Sequence, residues 1–342
     1  MIIVMKPSAE KASIEFVIEK INSLGLKAHP LPGIERTIIG AIGDTQNKNS
    51  LKSLKNHNDV DDVYPITKPY KLAARSTKHE DSIIKVNNIP IGGKHFVVVA
   101  GPCSVENEKQ MLTTANHIKS KGACLIRGGA YKPRTSPYSF QGLEEEGLNL
   151  LKKSKEASGL GIVTELLSAD TTKIVDEYAD LIQIGARNMQ NFALLKEVGK
   201  CKTPVLIKRG LSGTIDELLM SAEYVLAGGN YNVILCERGI RTYEKAYRNT
   251  LDLNAVPMLK QLTHLPILVD PSHGTGNINL IPAMSKAAIA AGADGLLIEV
   301  HPKPEEAFSD GEQSLTFDQF SDLMAAIKPY IELAGKELVV IN

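Results

Sequence analysis

From Phe96 onward, short apolar runs alternate with amphipathic stretches, and this alternation limits the folds open to the chain more than any other feature. The runs are FVVVAGP, CLIRGGA, GIVTELL, LIQIGAR, PVLIKRG, VILCERG, LPILVDPSHG and GLLIEVHP. They are nearly continuous in Val, Ile and Leu, as strands are when both faces are covered. The segments between them read as helices. In TIDELLMSAEYVLAGG, for example, Ile215, Leu218, Leu219, Ala222, Val225 and Leu226 form one stripe. Eight such units over about 240 residues predict an α/β chain whose main body is a (β/α)8 barrel. An open doubly wound sheet is the weaker choice, because no GxGxxG turn follows the first strand.

The residues before the barrel have a different pattern. IIVMK is a short strand, and Ile14, Val17, Ile18, Ile21 and Leu24 follow at helical spacing with Gly25 as a stop. KAHPLPG and RTIIGAIGD read as two strands, NKNSLKSLKNHNDV as a second helix and VDDVYPI as a last strand. The order β-α-β-β-α-β predicts a small ferredoxin-like α+β domain over 1–66. Residues 67–81 are polar and read as a linker, and 82–342 as the barrel preceded by a hairpin that turns at Asn87-Asn88. No cluster in the first domain suggests catalysis.

Composition excludes several classes. Lys+Arg and Asp+Glu both number 39, so no net field draws the chain to nucleic acid or to an anionic membrane. No run reaches the roughly 18 apolar residues that cross a bilayer. The four cysteines, Cys103, Cys124, Cys201 and Cys236, are dispersed without CxxC pairs. That usage, with no signal-peptide pattern at MIIVMKPSAEKAS, fits reduced thiols and a cytoplasmic protein.

Any strong charge is therefore local. Barrels of this kind place functional groups at the C-terminal ends of their strands. Those ends read Cys103, Arg127, Glu165, Arg187, Lys208, Arg238, His273 and Glu299, and every one is charged or able to bind a metal. Strand alternation puts Lys208 toward the mouth and makes its neighbour Arg209 a surface or helix-contacting residue. The loop RGGAYKPRTSPYSFQG adds Lys132 and Arg134, with Thr135 and Ser136 as hydroxyl donors. Arg127, Lys132, Arg134, Arg187, Lys208 and Arg238 in one mouth would repel one another, so they imply a substrate carrying more than one anionic group.

The other strand ends carry different chemistry. Cys103, His273 and Glu299 leave the first, seventh and eighth strands, which become neighbours once the barrel closes. Asp310 follows in a loop that can fold back over the mouth. Taken singly, Cys103 is a buried hydrophobe and His273 a general base. Taken together, a thiolate, an imidazole and two carboxylates suit one divalent first-row ion, with Mn, Fe, Co and Zn all open. Asp270 or Ser272 would orient the histidine. Cys236 also faces the barrel interior, and its role stays open.

These motifs resemble a known family. GPCS, RGGAYKPRTSPYSFQG, IGAR, IKRG, CERG, DPSHGTG and EVHP with the later Asp are similar to 3-deoxy-D-arabino-heptulosonate 7-phosphate (DAHP) synthase, class I, in the subgroup that carries a ferredoxin-like regulatory domain. The resemblance implies a transferase of aromatic amino acid biosynthesis, the first enzyme of the shikimate pathway. It would condense phosphoenolpyruvate with erythrose 4-phosphate and water. Arg127, Lys132, Arg187, Lys208 and Arg238 would hold phosphoenolpyruvate, and Arg134 and Thr135 the phosphate of erythrose 4-phosphate. Cys103, His273, Glu299 and Asp310 would bind the metal, and Glu165 would position a cation or water. An aromatic amino acid effector and a homotetramer are implied as well. Two other enzymes compete with this reading. One is a KDO8P synthase-type condensation with arabinose 5-phosphate, which the KPRTS loop disfavours; the other is a metal-free aldolase forming a Schiff base on Lys208.

Overall fold

The structure is a computed structural model describing residues 1–33, 35–43, 48–64, 69–134 and 136–341. Its chain contacts divide it into two compact units, Met1–Glu80 with Leu262–His264, and Asp81–Gln261 with Leu265–Asn342.

The first unit contains β1 (Ile2–Met5), α1 (Lys11–Ser23), β2 (Lys27–Pro32), β3 (Thr37–Ile42) and β4 (Val60–Tyr64). The strands form an antiparallel sheet in the order β2-β3-β1-β4. Its alternate residues Ile3, Met5 and Ile39 pack in one core with Val17 and Ile21 of α1. The expected second helix is instead a 3-10 segment, Lys48–Asn56, and residues 44–47 lie outside the described part. The physical reason is local. Asn and Ser compete for backbone hydrogen bonds, as Ser53 does by donating to the Ser50 carbonyl, and this weakens an α-helix. Of the stretch read as a linker, Tyr70, Leu72, Ala73 and Ala74 are buried.

The second unit opens with the hairpin β5 (Ile84–Val86) and β6 (Ile89–Ile91). Asn87 and Asn88 both have positive φ, 47° and 66°, as a two-residue turn matched to strand twist requires. Then follow β7 (His95–Gly101), α2 (Glu108–Ser120), β8 (Leu125–Arg127), α3 (Glu144–Ser158), β9 (Gly161–Leu166), α4 (Thr172–Tyr178), β10 (Leu181–Ile184) and α5 (Phe192–Val198). The series continues with β11 (Val205–Lys208), α6 (Ile215–Gly228), β12 (Val233–Glu237), α7 (Ala255–Leu262), β13 (Ile267–Val269), the short α8 (Pro271–Thr275), α9 (Ile281–Ala290), β14 (Gly295–Glu299), α10 (Phe317–Leu333) and β15 (Glu337–Leu338). Strands β7 to β14 pair in parallel in sequence order, and β14 pairs back to β7, which closes the barrel.

One buried cluster explains which end of the barrel is free for chemistry. Val97, Leu125, Val163, Leu181, Leu206, Ile234, Leu268 and Leu297, one from each strand, pack with Ile84, Val86, Ile89 and Ile91 of the hairpin. Burying such a side chain is worth about 1.5–3 kcal/mol. The hairpin's apolar residues thus seal one end, and the polar strand ends gather at the other. Helices are anchored by local signals, such as the capping box of Thr214 and Glu217 at α6. Among the described residues, no helix is long and apolar enough to cross a membrane.

Candidate active site

At the C-terminal end of the barrel lies a cavity of about 420 Å³. Arg127, Lys132, Arg134, Arg187, Lys208 and Arg238 all line it, together with Glu165, Gln183, His273 and Asp310. Thr135 lies outside the described residues. Arg241 and Arg248, on the loop after β12, add two cations that strand-end reasoning missed. The basic loop sequence RTYEKAYR was the available signal.

Each strand end has a local device that presents its side chain. Gly101 has φ 144°, and a Cβ there would stand 2.3 Å from the Arg127 carbonyl oxygen. Only glycine permits this approach, and the turn that follows delivers Cys103 back to the mouth. Just after β10, a Cβ at Gly185 would meet Glu165 Oε1 at 2.0 Å, so the missing side chain is the space that Glu165 occupies. Glu165 also accepts a hydrogen bond from Gln183 at 3.2 Å. His273 is carried by α8, where Asp270 caps the helix. Asp270 accepts from the His273 backbone N–H at 2.9 Å and pairs with its Nδ1 at 2.7 Å, which leaves Nε2 facing the site. Ser272 serves the neighbouring strand instead, accepting from the Glu299 backbone N–H at 3.0 Å.

Cys103, His273, Glu299 and Asp310 converge, each offering a ligand atom within 4.8 Å of the others. The Cys103 thiol donates to Asp310 Oδ2 at 3.1 Å, and His273 Nε2 stands 3.4 Å from Glu299 Oε1. That oxygen is buried, accepts no hydrogen bond among the described residues, and has the Arg127 guanidinium 3.2 Å away as its charge partner. The donor set and its spacing fit a divalent first-row ion. Burial, with Glu299 nearby, pushes the Cys103 thiol up to about 12, so the thiol keeps its proton until an ion displaces it. Burial also lowers His273, against the pull of Asp270 and Glu299, and a neutral imidazole is the ligand form. Asp310 is held below the ordinary carboxylate range: burial opposes this, but His273, protonated in the acid where this carboxyl titrates, and Arg248 outweigh it.

Lys132, Arg127 and Lys208 are held by neighbouring groups. Lys132 donates to Cys103 Sγ at 3.0 Å and to its carbonyl at 2.8 Å. Arg127 meets Glu299 at 3.2 Å, and its Nε and one terminal nitrogen are buried without hydrogen-bond partners among the described residues. Lys208 forms a buried ion pair with Asp270. Arg209 is neither exposed nor in the mouth. It is 5% exposed and bonds Glu237 at 2.9 Å and Asp252 at 2.8 Å, because a buried guanidinium outside the cavity needs acids of its own. Cys236 lies in the apolar cluster of the barrel interior.

Comparison with known proteins agrees with this geometry. The sequence model of the DAHP synthetase I family matches residues 74–333, and that of the DAHP synthase ferredoxin-like domain matches residues 1–68. A phospho-2-dehydro-3-deoxyheptonate aldolase of Thermotoga maritima is 49% identical over 335 residues, 98% of this chain and 99% of that one. Its crystal structure superposes with a TM-score of 0.78 at 48% identity, covering 100% of this chain and 99% of that chain. A 2-dehydro-3-deoxyphosphooctonate aldolase of Geobacter sulfurreducens is 30% identical, covering 72% of this chain and 96% of its own length.

Proposed function

The chain belongs to the DAHP synthetase I family, and from that membership we infer that its cavity condenses phosphoenolpyruvate with erythrose 4-phosphate and water to give DAHP and inorganic phosphate. The observation that carries this reading is the meeting of two kinds of site in one barrel mouth. A cationic wall suits two phosphorylated substrates, and a thiolate–imidazole–carboxylate set beside it suits a divalent ion.

In this reading Arg127, Lys132, Arg187, Lys208 and Arg238 hold the phosphate and carboxylate of phosphoenolpyruvate. The unpartnered nitrogens of Arg127 are donors waiting for such an anion. Arg134 and Thr135 take the phosphate of the aldehyde. Cys103, His273, Glu299 and Asp310 hold the ion, which when bound supplies Lewis-acid polarisation of the aldehyde carbonyl. C3 of the enol is a weak nucleophile, so the aldehyde must be made electrophilic and the developing alkoxide must be met by charge. Lys132, whose Nζ is 3.0 Å from Cys103 Sγ, would pass a proton to that alkoxide oxygen. Burial opposes the Lys132 charge, but Cys103, once a thiolate, and Glu165 outweigh it and hold Lys132 above the ordinary lysine range. Glu165, held by Gln183, orients the water that adds at C2. The resulting phosphate hemiketal then loses phosphate.

The two rival enzymes fare worse. Identity to the octonate-forming relative is 30% over 72% of the chain, against 49% over 98% for the heptonate-forming one. Lys208 Nζ is taken up by a buried ion pair with Asp270, which opposes its attack on a carbonyl carbon. The first unit contributes nothing to the ligand set, and we assign it to binding an aromatic amino acid effector in a homotetramer. The four free cysteines suit the cytoplasm. Phosphate release from phosphoenolpyruvate, with erythrose 4-phosphate or arabinose 5-phosphate and with or without chelator, tests the reading. Release with the four-carbon aldehyde that chelator abolishes supports it, and preference for the five-carbon aldehyde refutes it.

A further inference from the structure

The two carboxylates of the candidate metal site are held alike. Glu299 turns Oε1 toward Arg127 and His273, while its Oε2 accepts a 2.5 Å hydrogen bond from the Gln313 side-chain amide. Asp310 turns Oδ2 toward Cys103 and His273, while its Oδ1 accepts from Arg248 at 3.2 Å. The same Arg248 nitrogen donates to Gln313 Oε1 at 2.5 Å. The orientation of the amide follows from its neighbours. A carboxylate only accepts and a guanidinium only donates, so Gln313 gives its NH2 to Glu299 and its carbonyl to Arg248. Gln313 is 3% exposed and Glu299 fully buried, so breaking this link would leave polar groups unpaired out of water.

We propose that Gln313 and Arg248 form one positioning unit that restricts Glu299 and Asp310 to a single oxygen each toward the ion. A carboxylate is free to grip a divalent cation with one oxygen or with two. Two-oxygen binding would fill the open position that a Lewis-acid site must keep for its substrate. Tying off Oε2 and Oδ1 opposes that change, because taking either oxygen would break a hydrogen bond. One link, through Gln313 and Arg248, joins the carboxylate at the end of β14 to the one on the loop that follows it, so their ligand modes are set together. The inference rests on the metal reading of this site and deepens it by stating how the ligand mode is fixed.

Loading the full-length protein with Co²⁺ tests both levels. Wild type should show a thiolate-to-cobalt charge-transfer band that Cys103→Ala removes, and its absence would sink the metal reading itself. Once that band is seen, Gln313→Leu keeps the bulk but loses both polar atoms. It should weaken Co²⁺ binding about 10- to 100-fold in chelator competition. It should also lower the intensity of the visible d–d bands, as a carboxylate adds its second oxygen. Arg248→Met should do the same through Asp310 with Gln313 still in place, and it keeps the test open where Gln313→Leu fails to fold. The double variant should lose less than the sum of the two, since either change alone breaks the unit. Unchanged d–d spectra in the folded variants overturn the proposal even where affinity falls, because a merely structural role for the loop would weaken binding without altering ligand mode.

Discussion

Arg134→Ala tests the division of the cationic mouth between two substrates. In the free protein, Arg134 donates to Ser309 Oγ at 2.6 Å. An arriving phosphate must take the guanidinium from that hydroxyl, so the effect on binding is a difference between two contacts. One charge-assisted bond to a neutral hydroxyl at a half-buried position is worth about 1.5 kcal/mol, and a two-pronged phosphate contact about 3 kcal/mol. The variant loses the first in the free state and the second in the complex, a net loss of about 1.5 kcal/mol, or roughly tenfold in affinity. Steady-state phosphate release, with each substrate varied at saturating levels of the other, should show KM for erythrose 4-phosphate rising about tenfold. KM for phosphoenolpyruvate should stay within about twofold. Ser309→Ala supplies the opposite sign: it removes the competing hydroxyl and should lower KM for the aldehyde. Equal rises in both KM values for Arg134→Ala would refute the division, and so would a Ser309→Ala variant that binds the aldehyde worse.

Chelation should abolish turnover and added Mn²⁺ or Co²⁺ restore it, with Cys103→Ala failing to retain metal by elemental analysis while its circular dichroism stays native. Asp270→Asn leaves the buried Lys208 without its carboxylate and should cost about 3–5 kcal/mol, visible as a lowered Tm by calorimetry. A Tm within a degree of wild type would show that the pair is not what stabilises the strand ends. A chain beginning near Ser82 should keep activity and lose any inhibition by tyrosine, because allostery requires the ligand to distinguish two states of the domain that binds it. Inhibition that survives the truncation would place the effector site on the barrel.

The barrel was legible because its signal is periodic. Continuous apolar runs at regular intervals have one economical burial, and closure then makes the first, seventh and eighth strands neighbours. That step alone brings Cys103, His273 and Glu299 into one site from positions far apart in the chain. The hairpin turn at Asn87-Asn88 was equally local, since both residues tolerate positive φ. Loops carry no such period. Nothing in RTYEKAYR says that Arg248 reaches a glutamine 65 residues further on, nor that this glutamine holds Glu299. The left-handed backbone of Asp310, φ 53°, and the acids around Arg209 are likewise set by residues distant in sequence. The second helix expected in the small domain is a 3-10 segment for a related reason: helical spacing over a short Asn- and Ser-rich stretch cannot separate α from 3-10, which differ by one hydrogen-bond register. Which residues stand at the strand ends follows from a repeat of two along each strand and of eight around the barrel. How their second oxygens, charges and protons are held depends on packing between loops that only the closed barrel brings within bonding distance.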